Sequence, residues 1–311
     1  MKLSALREGG KRELASALAG LERDPDGTEA RALLDAAWRK PIAHVVGVTG
    51  PPGVGKSCLC AALLAAWRAQ ASTVGVIAVD PSSRASGGAL LGDRVRIVHD
   101  AADSGSFVRS MAAREKLGGL ADQTLAAMVV MRALFNHVLI ETVGVGQSET
   151  DVAGVADTVL FCAQPGSGDS LQFMKAGIVE IPHLIAVTKA DLGAAAERAR
   201  ADVEAALSLG AATESSAWKT PVLAVSSRTG AGMPELMTAL DAHRSFLDGQ
   251  GRLAAQRDRQ AEGWILAALL ERFGRRGLAR LSELGLDAGP VAGGQPFERL
   301  RALSLALETP R

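Results

Sequence analysis

Apolar positions recur along the chain in two rhythms. From Leu3 to about Lys40, Leu, Ala and Trp38 return at helical spacing, predicting two amphipathic helices broken by the turn-forming run Asp24-Pro25-Asp26-Gly27. The rhythm then changes to short, almost continuous apolar runs: IAHVVGVTG from Ile42, VGVIAVD at 74–80, HVLIETVG at 137–144, TVLFCAQ at 158–164, HLIAVTKAD at 183–191 and PVLAVSS at 221–227. Stretches with helical spacing, LCAALLAAWRAQ at 59–70 among them, lie between these runs. Strands that are apolar throughout bury both faces, so the pattern predicts an α/β fold: a mostly parallel central sheet flanked by helices. After about Arg244 the strand runs stop. Ile265, Leu269 and Phe273 then recur at four-residue steps, a Gly/Pro-rich break follows at 285–296, and FERLRALSLALE predicts a last helix. An amphipathic stripe of this kind serves either as an arm for dimerisation or partner contact, or as a cap on the sheet.

Composition narrows the setting. A chain of 311 residues, 48% hydrophobic, has material for one core of roughly 200 residues with helical appendages. Thirty-four basic residues balance thirty-four acidic ones, which gives no bulk electrostatic reason to bind nucleic acid or an anionic membrane. The three cysteines, Cys58, Cys60 and Cys162, do not make a disulfide scaffold, and a reducing cytoplasm is expected. On a helix, Cys58 and Cys60 point about 200° apart and cannot chelate one ion. The five histidines are scattered and form no ligand motif. Charges interrupt the opening MKLSALREGGKRELASAL, which predicts neither a secretory signal nor a membrane span.

The chemistry enters at residues 50–57. GPPGVGKS satisfies G-x-x-x-x-G-K-[ST] and stands between a predicted strand and a predicted helix, the context that a phosphate-binding loop requires. Gly50, Gly53 and Gly55 let successive backbone N–H groups around Val54 face the phosphates, and the helix N-terminus that follows, with Cys58 in its first turn, adds its dipole. Lys56 is placed to bridge the β- and γ-phosphates and Ser57 to ligate Mg²⁺. A magnesium nucleotide site also needs carboxylates at nearby strand ends, which Asp80 and Glu141 supply. Glu141 and Gly144 form E-x-x-G, in which the carboxylate holds the metal or its water and the glycine N–H senses the γ-phosphate.

Two further segments select the base. Thr188-Lys189-Ala190-Asp191 resembles N-K-x-D with Thr in place of Asn. The Asp191 carboxylate can accept both guanine N1–H and N2–H₂, donors that adenine lacks on that edge, while the Lys189 stem covers the ring. Ser226, Ser227 and Arg228, in VSSRTG, are placed to offer backbone N–H groups to the guanine carbonyl. Fast hydrolysis usually needs a positioned glutamine, yet Val145 follows Gly144, so slow intrinsic turnover is expected. Gln147, Arg109 and Arg114 are candidate helpers that fit a surface or interface role as well.

Beyond these general motifs, VDPSS at 79–83, SGGALLGDR at 86–94, LGGL at 117–120, ETVGVGQSE at 141–149 and KAGIVEI at 175–181 follow in order. Over about residues 41–245 the chain resembles the MeaB/ArgK/MMAA family, GTPase chaperones of adenosylcobalamin-dependent acyl-CoA mutases. The resemblance implies a GTP/GDP-binding protein with Mg²⁺ that gates cofactor loading and protects or reactivates a mutase such as methylmalonyl-CoA mutase. A cobalamin adenosyltransferase is a second partner in this scheme, and the chain itself is expected to be a homodimer. Carried over by position, it implies catalytic roles for Lys56, Glu141, Asp93 and Lys175, and metal-binding roles for Ser57, Asp80, Asp93 and Glu141. A switch loop is expected at about 164–175. The sequence departs from the family pattern at Thr188, Cys58, Ser170 and Glu115. The expected organisation is a helical extension at 1–40, a P-loop GTPase domain at 41–245 and a helical arm at 246–311. An ATP-dependent kinase, a nickel-insertion GTPase and a nucleotide-binding module with negligible hydrolysis are the alternatives. The Thr188-Lys189-Ala190-Asp191 run argues against the first, and the lack of a His-rich or Cys-x-x-Cys segment against the second.

Overall fold

The computed structural model describes residues 2–81, 97, 100, 102–113, 122–144, 151–166, 181–210, 218–287, 289 and 294–308. Seven strands form one parallel sheet: β1 (His44–Thr49), β2 (Val74–Pro81), β3 (Ser106–Ala113), β4 (His137–Glu141), β5 (Thr158–Ala163), β6 (Leu184–Val187) and β7 (Val222–Ala224), in the order β3-β2-β4-β1-β5-β6-β7. From β1 the chain moves outward on one side through β2 and β3, returns with β4 beside β1, then moves out on the other side through β5 to β7. Ligands of such sheets bind at the carboxyl ends of the strands, where the direction reverses.

Six of the strands coincide with the predicted apolar runs. The pleat sorts their side chains: Val45, Ile77, Val138 and Val159 enter one core, and Val46, Val76, Leu139 and Leu160 enter the other. Each is fully sequestered, contributing roughly 2 kcal/mol by transfer from water. Helices α3 (Lys56–Ala69) and α6 (Met233–Asp248) cover the second core through Leu59, Leu63, Trp67, Leu236 and Leu240. The first lies under α4 (Asp122–Arg132), and a separate small cluster of Phe161, Ala163, Ile185 and Val187 lies under Val203 of α5 (Ala194–Gly210).

The edge strand β3 is the element that the apolar pattern does not show. Phe107 and Met111 enter one core and Val108 the other, but Arg109 interrupts the run. Its guanidinium is held by Glu22 at 2.5 Å.

The two predicted N-terminal helices form as α1 (Leu3–Arg23) and α2 (Thr28–Trp38) and pack on α4 and the sheet. The C-terminal helices are α7 (Arg252–Glu283), interrupted at Gly274, and α8 (Pro296–Glu308). The carboxylate of Asp35 on α2 accepts the free N–H groups of Phe297 and Glu298 at 3.1 and 3.2 Å, capping α8 from the far end of the sequence. Polar contacts fasten α7. Gln256 donates to the carbonyls of Ala156 and Asp157, and Gln260 to those of Ala153 and Ala156. Arg257 takes the buried Asp157 carboxylate in two bonds, 2.8 and 2.7 Å. Burial raises the Asp157 pKa, but the bonds and charge of Arg257 outweigh it and leave the group below its ordinary value. No described helix is long and apolar enough to cross a membrane.

Candidate functional site

The phosphate loop leaves β1 at Thr49 and enters α3 at Lys56. Gly50, Gly53 and Gly55 have φ of 134°, 74° and 101°, values that L side chains rarely adopt. Lys56 is buried, and its ammonium folds back to donate to the carbonyls of Gly50 at 2.7 Å and Pro51 at 3.0 Å. This fixes a positive charge beside the loop.

Strand β4 brings the acidic partner. In the sheet register Glu141 stands between Val48 of β1 and Ala78 of β2. Its Oε1 accepts the Ser57 hydroxyl at 2.5 Å, joining the phosphate loop to E-x-x-G. The next residue repeats the link, with Thr142 Oγ1 donating to Thr49 Oγ1 at 2.9 Å. Gly144, at φ 81°, ends this run against the loop; a Cβ there would collide with the Gly50 carbonyl and the Lys56 ammonium. The close approach explains glycine at this position. The buried thiols behind the loop take no part: burial raises the Cys60 pKa well above its ordinary value and pushes Cys162 up to about 12, so both stay neutral. Cys58 is exposed.

The base loops are knit to each other and to the phosphate loop. Val225 N–H donates to the Val187 carbonyl at 2.8 Å, and Ala190 N–H to the Val225 carbonyl at 3.0 Å. Thr188 is buried, and its hydroxyl lies 2.7 Å from the Val54 carbonyl and 3.0 Å from that of Ala163. Lys189 has a left-handed backbone, φ 58°, and its ammonium spans Gly53 O at 3.3 Å and Gln164 Oε1 at 2.5 Å. Gln164, at the end of β5, is a contact the sequence pattern did not single out. Asp191 lies at the surface with its side chain largely covered, 17% exposed. The Ser226 hydroxyl at 2.5 Å, then Arg228 at 2.6 and 3.1 Å, hold its carboxyl below the ordinary range and keep it ionised.

The role of Ser226 therefore differs from that expected of its backbone. Its N–H is already donated to the Ala231 carbonyl at 2.8 Å, and its hydroxyl positions Asp191 instead.

Asp93, Arg114, Gln147 and Lys175 lie outside the described residues, as does the expected switch loop beyond Gly166. The backbone of Asp80 continues β2 beyond Ala78 and pairs in register with Ala112; its side chain is outside the described set. Arg109 is committed to Glu22 on α1. Among the described residues, no three His, Cys, Asp or Glu side chains gather as a metal-binding group. Ser57 and Glu141 pair hard oxygen donors, the type that suits Mg²⁺.

Known proteins resemble the chain over most of its length. The family model described as methylmalonyl Co-A mutase-associated GTPase MeaB matches residues 14–280. A Pyrococcus horikoshii protein named as a GTPase is 38% identical over 291 residues, covering 90% of this chain and 89% of its own. The mouse protein named methylmalonic aciduria type A homolog, mitochondrial, is 37% identical over 73% of this chain and 55% of its own length. Among solved structures, one titled LAO/AO transport system kinase superposes with a TM-score of 0.67 at 27% identity, covering 99% of this chain and 96% of that one.

Proposed function

We propose, from the premise that this chain belongs to the MeaB family of methylmalonyl-CoA mutase-associated GTPases, that it is a chaperone GTPase of a cobalamin-dependent acyl-CoA mutase. As a GTPase of the P-loop fold, it binds nucleotide. In the proposed role it gates adenosylcobalamin loading and protects or reactivates the mutase, methylmalonyl-CoA mutase or a related enzyme, in the cytoplasm. A cobalamin adenosyltransferase is a further partner, and residues 246–311 form an arm for dimerisation or partner contact.

The bond from Ser57 to Glu141 carries the reading, because it joins the phosphate loop to E-x-x-G, the stretch that ends at Gly144 beside Lys56. Mg²⁺, which Ser57, Glu141, Asp80 and Asp93 would hold, supplies charge neutralisation for the β- and γ-phosphates when bound. Lys56 sets a second positive charge on the same oxygens, and its present carbonyl partners are exchanged for phosphate. Gly144 lies against both Gly50 and Lys56, where its N–H meets the γ-phosphate and moves when that group leaves. The segment after Gly144 returns to the described structure at residues 151–157, the turn that Gln256, Arg257 and Gln260 of α7 grip. Nucleotide state thereby reaches the C-terminal helices. Asp191 and Ser226 select guanine, and Val145 in place of glutamine leaves turnover slow until the partner binds.

Co-elution with purified cobalamin-dependent acyl-CoA mutases, in a non-hydrolysable GTP analogue and in GDP, tests the proposal. A complex whose affinity differs between the two nucleotides is expected. Failure to bind any such mutase in either state contradicts the chaperone role and leaves the GTPase standing.

A further inference from the structure

The opposite end of the sheet holds a cavity, separated from the phosphate loop by the length of β1, about 17 Å. Its volume is about 360 Å³, and its walls come from Trp38 at the end of α2, Pro41 before β1, Arg132 at the end of α4, and the α6–α7 corner with Leu247, Leu253 and Ala254. That volume lies at the small end of ligand pockets, about 300–1,000 Å³.

Two arginines stand in this wall, and they are not equivalent. Arg257 spends Nε and Nη2 on Asp157. Arg132 is 1% exposed, and its Nε and Nη2 have no hydrogen-bond partner. The Trp38 ring lies 4.4 Å from its guanidinium carbon. Stacking satisfies the face of a guanidinium and leaves its in-plane N–H donors unused. Nε and Nη2 share one edge, the fork that donates two parallel bonds to a planar carboxylate; both atoms are covered in this structure, so a ligand in the cavity reaches them by displacing part of the wall.

The local charges reinforce this. Asp157 is committed to Arg257, and Asp248 in the wall is held by Arg244 at 2.9 Å. Asp258, at the exposed rim, is the remaining acid in the lining. Burial, then the charge of Arg257, lowers the Arg132 pKa to about 9, which still leaves it cationic at neutral pH. A buried cation without an acceptor is unfavourable, and the described protein residues supply none.

We propose that this cavity is a second ligand site, separate from the nucleotide site, that takes a small carboxylate carried on an apolar body. Arg132 anchors the carboxylate, and Trp38, Pro41, Leu253 and Ala254 receive the apolar part. The site sits between the N-terminal helices and α7, against the same Arg257 that ties α7 to the sheet.

The test is calorimetric titration of the full chain, saturated with GDP so that the phosphate loop is filled. Benzoate is the probe, benzyl alcohol its uncharged twin, and inorganic phosphate an anion without an apolar body. Benzoate is expected to bind saturably and the other two not. Arg132→Met should weaken benzoate at least about tenfold with GDP affinity unchanged. Ala254→Trp, which fills the cavity from the other wall and leaves Arg132 intact, should abolish benzoate binding and decides the matter if the Arg132 variant does not fold. Non-saturable benzoate, equal binding by benzyl alcohol, or undiminished binding in Ala254→Trp overturns the proposal. Phosphate binding as tightly as benzoate overturns the assignment of a carboxylate on an apolar body.

Discussion

The hydroxyl of Thr188 sits 2.7 Å from the Val54 carbonyl and 3.0 Å from that of Ala163, so one side chain fastens the base loop to the phosphate loop and to the end of β5. A hydroxyl has a single proton, which the two carbonyls share. Threonine thus keeps the mechanical link in a position where the related motif has asparagine, with fewer donors.

Removing that hydroxyl strands the Val54 carbonyl beside the phosphate loop, while the Ala163 carbonyl keeps the Thr188 backbone N–H at 2.8 Å. Thr188→Val is expected to weaken GDP binding about 5- to 30-fold, the equivalent of about 1–2 kcal/mol, with little change in melting temperature. Thr188→Asn, which restores donors, should stay within about threefold of the parent. Calorimetric titration with GDP measures both. Equal losses in the two variants would show that side-chain size, not hydrogen bonding, matters here.

Glu141 presents a separable charge and hydrogen bond. Glu141→Gln keeps an oxygen for the Ser57 hydroxyl, seen at 2.5 Å, and removes the negative charge. GTP turnover should fall about 100-fold while GDP affinity in EDTA stays within about twofold. Phosphate release under single-turnover conditions checks the first and calorimetry the second. Unchanged turnover would remove Glu141 from the metal and catalytic set.

The carboxylate of Asp191, ionised and positioned by Ser226 and Arg228, is the guanine-selective group. Asp191→Asn should lower GTP affinity at least about tenfold and shift preference to xanthosine triphosphate, whose exchanged carbonyl accepts from the new amide. Competition binding of the two triphosphates decides it. Retained GTP preference would place base recognition elsewhere.

Much of this was legible in the sequence because parallel strands buried on both faces must be apolar throughout. The runs from Val45, Val74, Val138, Val159, Leu184 and Val222 all became strands, and GPPGVGKS fell between β1 and α3 as expected. Strand β3 was hidden because Arg109 breaks its pattern, and its partner Glu22 is 87 residues away. For the same reason five scattered histidines gave no sign that three of them converge. His44 Nε2 and His243 Nδ1 flank the Thr158 hydroxyl at 2.6 and 2.8 Å, and the His183 ring stacks on His243 at 4.4 Å. Such groupings depend on topology, which spacing along one segment does not encode. In the site, the motifs assign Ser57 and Glu141 to one metal, whereas the bond between their side chains and the use of the Ser226 N–H within its own loop emerge only from the structure.

The histidine cluster sets a pH dependence. Burial is the main cause that lowers His44 and His183 to about 4 and His243 to about 3, against an ordinary 6.5. The folded chain resists protonation that the unfolded chain accepts. Their contribution to stability is therefore fully present above about pH 6.5 and declines as pH falls toward 4. Urea denaturation should show a loss on the order of 5 kcal/mol between pH 7 and pH 5. His243→Phe, which keeps a stacked ring without a titrating nitrogen, should reduce that slope. A flat profile over the same range would mean that the cluster admits protons in the folded state.

In the proposed function, a cobalamin-dependent mutase controls GTP hydrolysis at this site. Phosphate release from GTP and from ATP, by the chain alone and with an adenosylcobalamin-loaded acyl-CoA mutase, tests it most directly. Slow GTP turnover alone, selective acceleration of GTP hydrolysis by a mutase, and loss of both in Lys56→Ala are expected. Turnover of GTP that no such mutase alters would contradict the proposed chaperone role.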